Sequence, residues 1–79
     1  MELLNRIEIN GKVLKGKVVI KGTRLSVQFI LGLLGNGADV TEILEEYDSL
    51  EREDILACLL FASQSLDNQL FIPLPKDAA

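Results

Sequence analysis

Five cations, Lys12, Lys15, Lys17, Lys21 and Arg24, fall among short apolar runs and glycines in the first third of the chain. Ammonium and guanidinium groups at that density could contact phosphate, because they displace counterions from a nucleic-acid backbone and a two-stranded ribbon can enter a major groove. Lysines scattered on edge strands also keep those edges soluble, which is at least as good an account of them. The acidic residues Asp39, Glu42, Glu45, Glu46 and Asp48 cluster farther along, but their spacing follows a solvated helix rather than a cation-binding loop, and no metal site is expected. The sequence holds one cysteine and no histidine. Cys58 lies in an apolar helical run without a base beside it, so it reads as a small buried hydrophobe rather than a nucleophile. With no phosphate-cradling glycine loop and no pair of metal-ligand motifs, neither catalysis nor a cofactor is expected, and binding remains.

The charges divide the chain. Residues 1–24 carry six Lys or Arg against two Glu, and residues 25–79 carry two against ten Asp or Glu, so a net charge of +4 faces one of −8. Such a split suits a protein that touches two partners of opposite character. A chain of 79 residues makes one domain and, folding alone, buries only about 60% of its unfolded surface. With 48% hydrophobic residues and a mean hydropathy of +0.26, there is more apolar surface than one small monomer hides, and a homodimer is expected. A lone cysteine fits a reducing cytoplasm. No apolar span is long enough for a membrane helix, and no secretory leader is expected at the N-terminus.

The chain divides into a basic β-rich arm over 1–25, a helical body over 26–67 and a proline-containing apolar tail over 68–79. Arg6-Ile7-Glu8-Ile9 alternates, Asn10-Gly11 suits a tight turn, and Lys12-Val13-Leu14 would complete a hairpin. Lys17-Val18-Val19-Ile20 offers a third β-branched run that ends at Gly22. Ser26 is an N-cap for a first helix with Val27, Ile30, Leu31 and Leu34 on one face and Asn36-Gly37 at its end. Asp39-Val40-Thr41-Glu42 reads as a capping box, followed by the inward stripe Val40, Ile43, Leu44 and Tyr47. A third helix runs from about Glu51 to Asp67. Ile55, Leu59, Ala62 and Leu66 form its apolar line, and Glu51, Glu53 and Asp54 its solvated acidic first turn.

These elements predict a mainly α fold, a three-helix, homeodomain-like helix-turn-helix bundle behind a short N-terminal β-hairpin. In that arrangement the third helix would read a DNA groove, but its acidic first turn repels phosphate, and the cationic arm is the better nucleic-acid candidate. Arg24, at a strand-to-helix corner, is expected to pair with a carboxylate of helix two or three, while the Thr23 hydroxyl holds a local backbone group. Tyr47 is expected in the core with a hydrogen-bonded tip. Phe29 and Leu33 lie off the main stripe of helix one, and Leu56 and Leu60 widen that of helix three, so these four are candidate dimer or partner contacts. Leu70, Phe71 and Ile72 in the tail are candidate docking residues, either for a partner or for a neighbouring subunit.

Arg6-Ile7 through Asn10-Gly11, Gly16-Lys17-Val18-Val19-Ile20-Lys21-Gly22-Thr23-Arg24-Leu25, Gly37, Thr41 through Tyr47, Leu50 and Glu53-Asp54-Ile55 together resemble the bacterial "domain of unknown function 433" family. The resemblance spans residues 6 to about 63. Asn10-Gly11 stands in place of that family's Asp-Pro turn, Val18 in place of a common Pro and Asp48 in place of the Pro that often follows Tyr. The resemblance implies a homeodomain-like fold and the role of an antitoxin, dimeric and cytoplasmic, paired with a PIN-type ribonuclease toxin and binding operator DNA. The residues alone support as an alternative a protein-interaction or assembly module without a DNA role, consistent with a net charge of −4.

Overall fold

Residues 3–9 and 17–67 are described by a computed structural model of the chain. A 3₁₀ turn, Leu3–Arg6, leads into β1, Ile7–Ile9, which pairs antiparallel with β2, Val18–Ile20. Three helices come next: α1, Val27–Gly35, α2, Val40–Glu46, and α3, Arg52–Asp67. The chain is thus a mainly α domain with a short antiparallel hairpin ahead of a three-helix body, as the sequence predicts.

The hairpin joins the first and third apolar runs. Ile7 faces Ile20, Glu8 faces Val19 and Ile9 faces Val18; the Asn10-Gly11 turn and the Lys12–Leu14 run lie outside the described residues. Val19 and Ile20 point to opposite faces of the sheet, and both are buried. A strand covered on both faces needs consecutive apolar residues, which Val18-Val19-Ile20 supplies. Within the described part of the basic segment Val19 and Ile20 are therefore core, while Lys17, Lys21 and Arg24 are exposed.

Local hydrogen bonds turn the chain from β2 into α1. Gly22 takes a φ of 82°, a conformation that glycine adopts at little cost. The Thr23 hydroxyl donates to the Ile20 carbonyl at 2.7 Å and accepts from the Leu25 N–H at 3.0 Å. The Ser26 hydroxyl then accepts the Phe29 N–H at 2.9 Å and caps α1. At the other end the Ala38 N–H reaches the Leu33 carbonyl and the Gly37 N–H the Leu34 carbonyl, a Schellman ending made possible by the φ of 104° at Gly37. The capping box of α2 is complete, with the Glu42 N–H to Asp39 at 2.8 Å and the Asp39 N–H to Glu42 at 2.9 Å.

Ile20, Val27, Ile30, Ile43, Leu50, Ile55 and Cys58 form the buried centre, with Val40, Leu44 and Tyr47 of α2 packed against it. The inward face of α3 differs from the expected line. Ile55, Ala57 and Cys58 are fully buried, whereas Leu59 and Leu66 are 45% and 63% exposed. The 3₁₀ turn and β1 pack on α3 as well as α1 and α2, and they select the face on which Asp54, Ile55 and Cys58 lie. Asp54 itself is only 7% exposed, so of the expected solvated acidic cluster at the start of α3 only Glu51 and Glu53 are exposed.

Candidate functional site

An apolar groove lies along the outer side of α1. Leu25, Phe29, Gly32 and Leu33 line it, and Lys17 and Arg24 stand beside them. The chain folds this way locally because β2 ends in the Gly22–Arg24 corner. That corner returns Leu25 beside Ile20, through an Ile20 N–H to Leu25 carbonyl bond of 2.9 Å, and starts α1 at Ser26. The inward stripe Val27, Ile30, Leu31 and Leu34 then turns Gln28, Phe29 and Gly32 outward. Phe29 is 41% exposed, and its ring meets Tyr47 edge to face at 5.8 Å between centroids, which ties the groove to the end of α2. A Cβ built on Gly32 meets nothing within 4 Å, so the missing side chain leaves the groove open. The described lining includes both cations and no carboxylate.

Of the five cationic candidates, Lys17 and Arg24 are exposed and share this groove, and Lys12 and Lys15 lie outside the described residues. Lys21 stands elsewhere, in a charged recess with Arg6, Asp48, Glu51 and Asp54. Among the contact candidates, Phe29 and Leu33 share the groove, while Leu56, 39% exposed, and half-buried Leu60 lie on α3. Leu70, Phe71 and Ile72 lie outside the described residues.

The ion pair expected of Arg24 is made instead by Arg6. Its Nη1 donates to Glu51 Oε1 at 2.8 Å and to Asp54 Oδ1 at 3.0 Å, while Asp54 Oδ2 accepts the Glu51 N–H at 2.8 Å. The Asp54 carboxylate thus caps the start of α3 and holds the N-terminal turn against it. Among the described residues Arg24 forms no ion pair with the helices. Its neighbour Thr23 already closes the corner, which leaves the guanidinium out in solvent. The hydrogen bonds to Glu51 and then Asp54 raise the Arg6 pKa. Reasoning from sequence missed Arg6 because it precedes its partners by 45 and 48 positions, and nothing local marks it.

Cys58 is fully buried, as its apolar surroundings predict, and burial, with a smaller contribution from the Asp54 charge, pushes its thiol up to about 11. Glu42, Glu45, Glu46 and Asp48 are exposed on and after α2, and among the described residues no group of three or more metal-ligating side chains is disposed around a common point. Nor is any described helix long and apolar enough to cross a membrane.

The family model described as "Protein of unknown function (DUF433)" matches residues 7–62, from β1 through most of α3. The chain belongs to this family. Its fold is similar to that of a DUF433 member protein from Anabaena variabilis ATCC 29413 known from a crystal structure, with a TM-score of 0.75 and 30% sequence identity over 80% of this chain. The chain spans 62% of that protein's length. No curated protein matches the chain. Within this DUF433 domain the matched span contains the whole Lys17–Arg24–Phe29 groove and the carboxylates of the Arg6 clasp, while Arg6 immediately precedes it.

Proposed function

We propose that this DUF433 chain is the antitoxin-like member of a toxin-antitoxin pair, a cytoplasmic homodimer that holds a PIN-type ribonuclease in the α1 groove. The single observation behind this reading is a half-open aromatic side chain, Phe29, in an apolar groove flanked by two cations with no carboxylate among the described lining. Exposed aromatics in concave apolar sites are the usual anchors of protein interfaces. The family resemblance supplies the kind of partner. Leu56 and Leu59 leave further apolar surface on α3 for the second subunit. Lys17 and Arg24 would serve operator DNA as a secondary activity, together with Lys12 and Lys15.

The test is co-expression with a ribonuclease encoded beside this gene. Co-purification of the two, with relief of the ribonuclease's growth arrest, supports the reading, and independent migration with arrest unrelieved refutes it. The alternative, an interaction module without DNA binding, draws on the exposed Glu51 and Glu53 at the start of α3, where a groove-reading helix would meet phosphate. A promoter fragment left unshifted at low salt by a chain that still binds the ribonuclease would favour it.

A further inference from the structure

A second apolar groove adjoins the first, between α1 and the last turns of α3. Val18, Leu31, Phe61, Ala62 and Leu66 line it, and it shares Lys17 and Gln28 with its neighbour. Two features separate it from the Phe29 groove. Arg24 is not part of it, which leaves Lys17 as the one charged side chain in its described lining. It also opens where α3 ends, because Ser65 and Leu66 lie in its wall and Asp67 is the last residue of the helix. Beyond Asp67 the sequence runs Asn-Gln-Leu-Phe-Ile-Pro-Leu-Pro, with no charge before Lys76.

We propose that residues 70–74 of the same chain occupy this groove, with Leu70, Phe71 and Ile72 set against Leu31, Phe61 and Leu66. The reach is sufficient, since the six residues from Leu66 to Ile72 span up to about 20 Å when extended and the groove crosses little more than a turn of each helix. The chemistry matches as well: an uncharged apolar segment meets the groove without Arg24, and the groove flanked by two cations stays open to another molecule. Pro73 and Pro75 reduce the conformational freedom lost when the segment is held. Attachment to α3 gives the chain's own segment an effective concentration in the millimolar range. This assignment is independent of the ribonuclease reading.

The experiment pairs Gln28→Cys with Ile72→Cys in the full-length chain under mild oxidation by diamide, and follows the product on a non-reducing gel and by mass. Gln28 is exposed, so the substitution spares the core, and native Cys58 is fully buried and out of reach. A control pairs Glu45→Cys, on the exposed side of α2, with Ile72→Cys. The expected result is a single-chain species lighter by two hydrogens, formed at least about tenfold faster than in the control. A disulfide-linked dimer through Gln28→Cys and Ile72→Cys would overturn the proposal in favour of a second copy's segment. No disulfide, or one formed equally fast in the control, would overturn it outright.

Discussion

Asp54→Ala removes the side chain that joins two parts of the fold, and its cost can be worked out from the geometry. The carboxylate is buried and accepts the Glu51 N–H at 2.8 Å, so its loss uncaps α3 at about 1 kcal/mol and leaves a small void beside the core. The Arg6 end of the clasp is more than a third exposed and keeps Glu51 at 2.8 Å, so the ion pair adds little. A total of about 1.5 kcal/mol in a domain of this size lowers Tm by roughly 6 to 12 °C. Asp54→Asn keeps an oxygen for the Glu51 N–H but turns an amide NH2 toward Arg6 where Oδ1 had accepted, so it should retain the cap, release the Arg6 clasp and cost less than Ala. Thermal unfolding followed by circular dichroism measures both. If Asp54→Ala melts within a degree or two of the wild type, or Asp54→Asn is as damaging as Ala, the buried cap is not what holds this corner.

Three further outcomes are expected. Because the folded Cys58 thiol titrates at about 11 against an ordinary 9.0, the folded chain binds more protons than the unfolded one between those values, so stability falls as pH rises through that window; denaturant titrations at pH 8 and 10.5 should show a smaller fall in Cys58→Ala. Ser26→Ala removes the cap of α1 at about 1 kcal/mol, visible as a lowered urea midpoint with an unchanged slope. If the chain binds duplex DNA, Lys17→Glu with Arg24→Glu should flatten the dependence of log affinity on log salt by about 0.9 for each phosphate no longer neutralised, while Lys21→Glu, set among carboxylates, should change it little.

Local signals were the legible part of the sequence. Ser26, the Asp39–Glu42 box and Asn36-Gly37 act on backbone groups a few residues away, so α1, the start of α2 and their boundaries could be read directly. The face of α3 could not, since Leu56, Leu59, Leu60, Phe61 and Leu66 give that helix apolar residues on most sides and only packing against β2, α1, α2 and the N-terminal turn selects Ile55 and Cys58. The pairing of Ile7 with Ile20 joins positions thirteen apart, a separation that no local turn signal marks, and the Asn10-Gly11 turn lies outside the described residues. The groove was half legible: Phe29 and Leu33 stood out as a second apolar face, and the cations were found. Nothing in their order, however, told Lys17 and Arg24 from Lys21, which the turn after β2 carries to the acidic side.

The most direct test of partner docking is the affinity of the proposed ribonuclease partner for a chain whose groove has been filled. Gly32→Leu suits this, because a side chain there enters open space and an α-helical glycine is replaced by a better helix former, so Tm should hold or rise. Calorimetric titration should show binding to Gly32→Leu weakened by about thirtyfold or more, the loss expected when an interface hot spot is blocked. Wild-type affinity in a Gly32→Leu chain with an unchanged melting point would contradict the claim that the groove beside Phe29, Lys17 and Arg24 is where the partner docks.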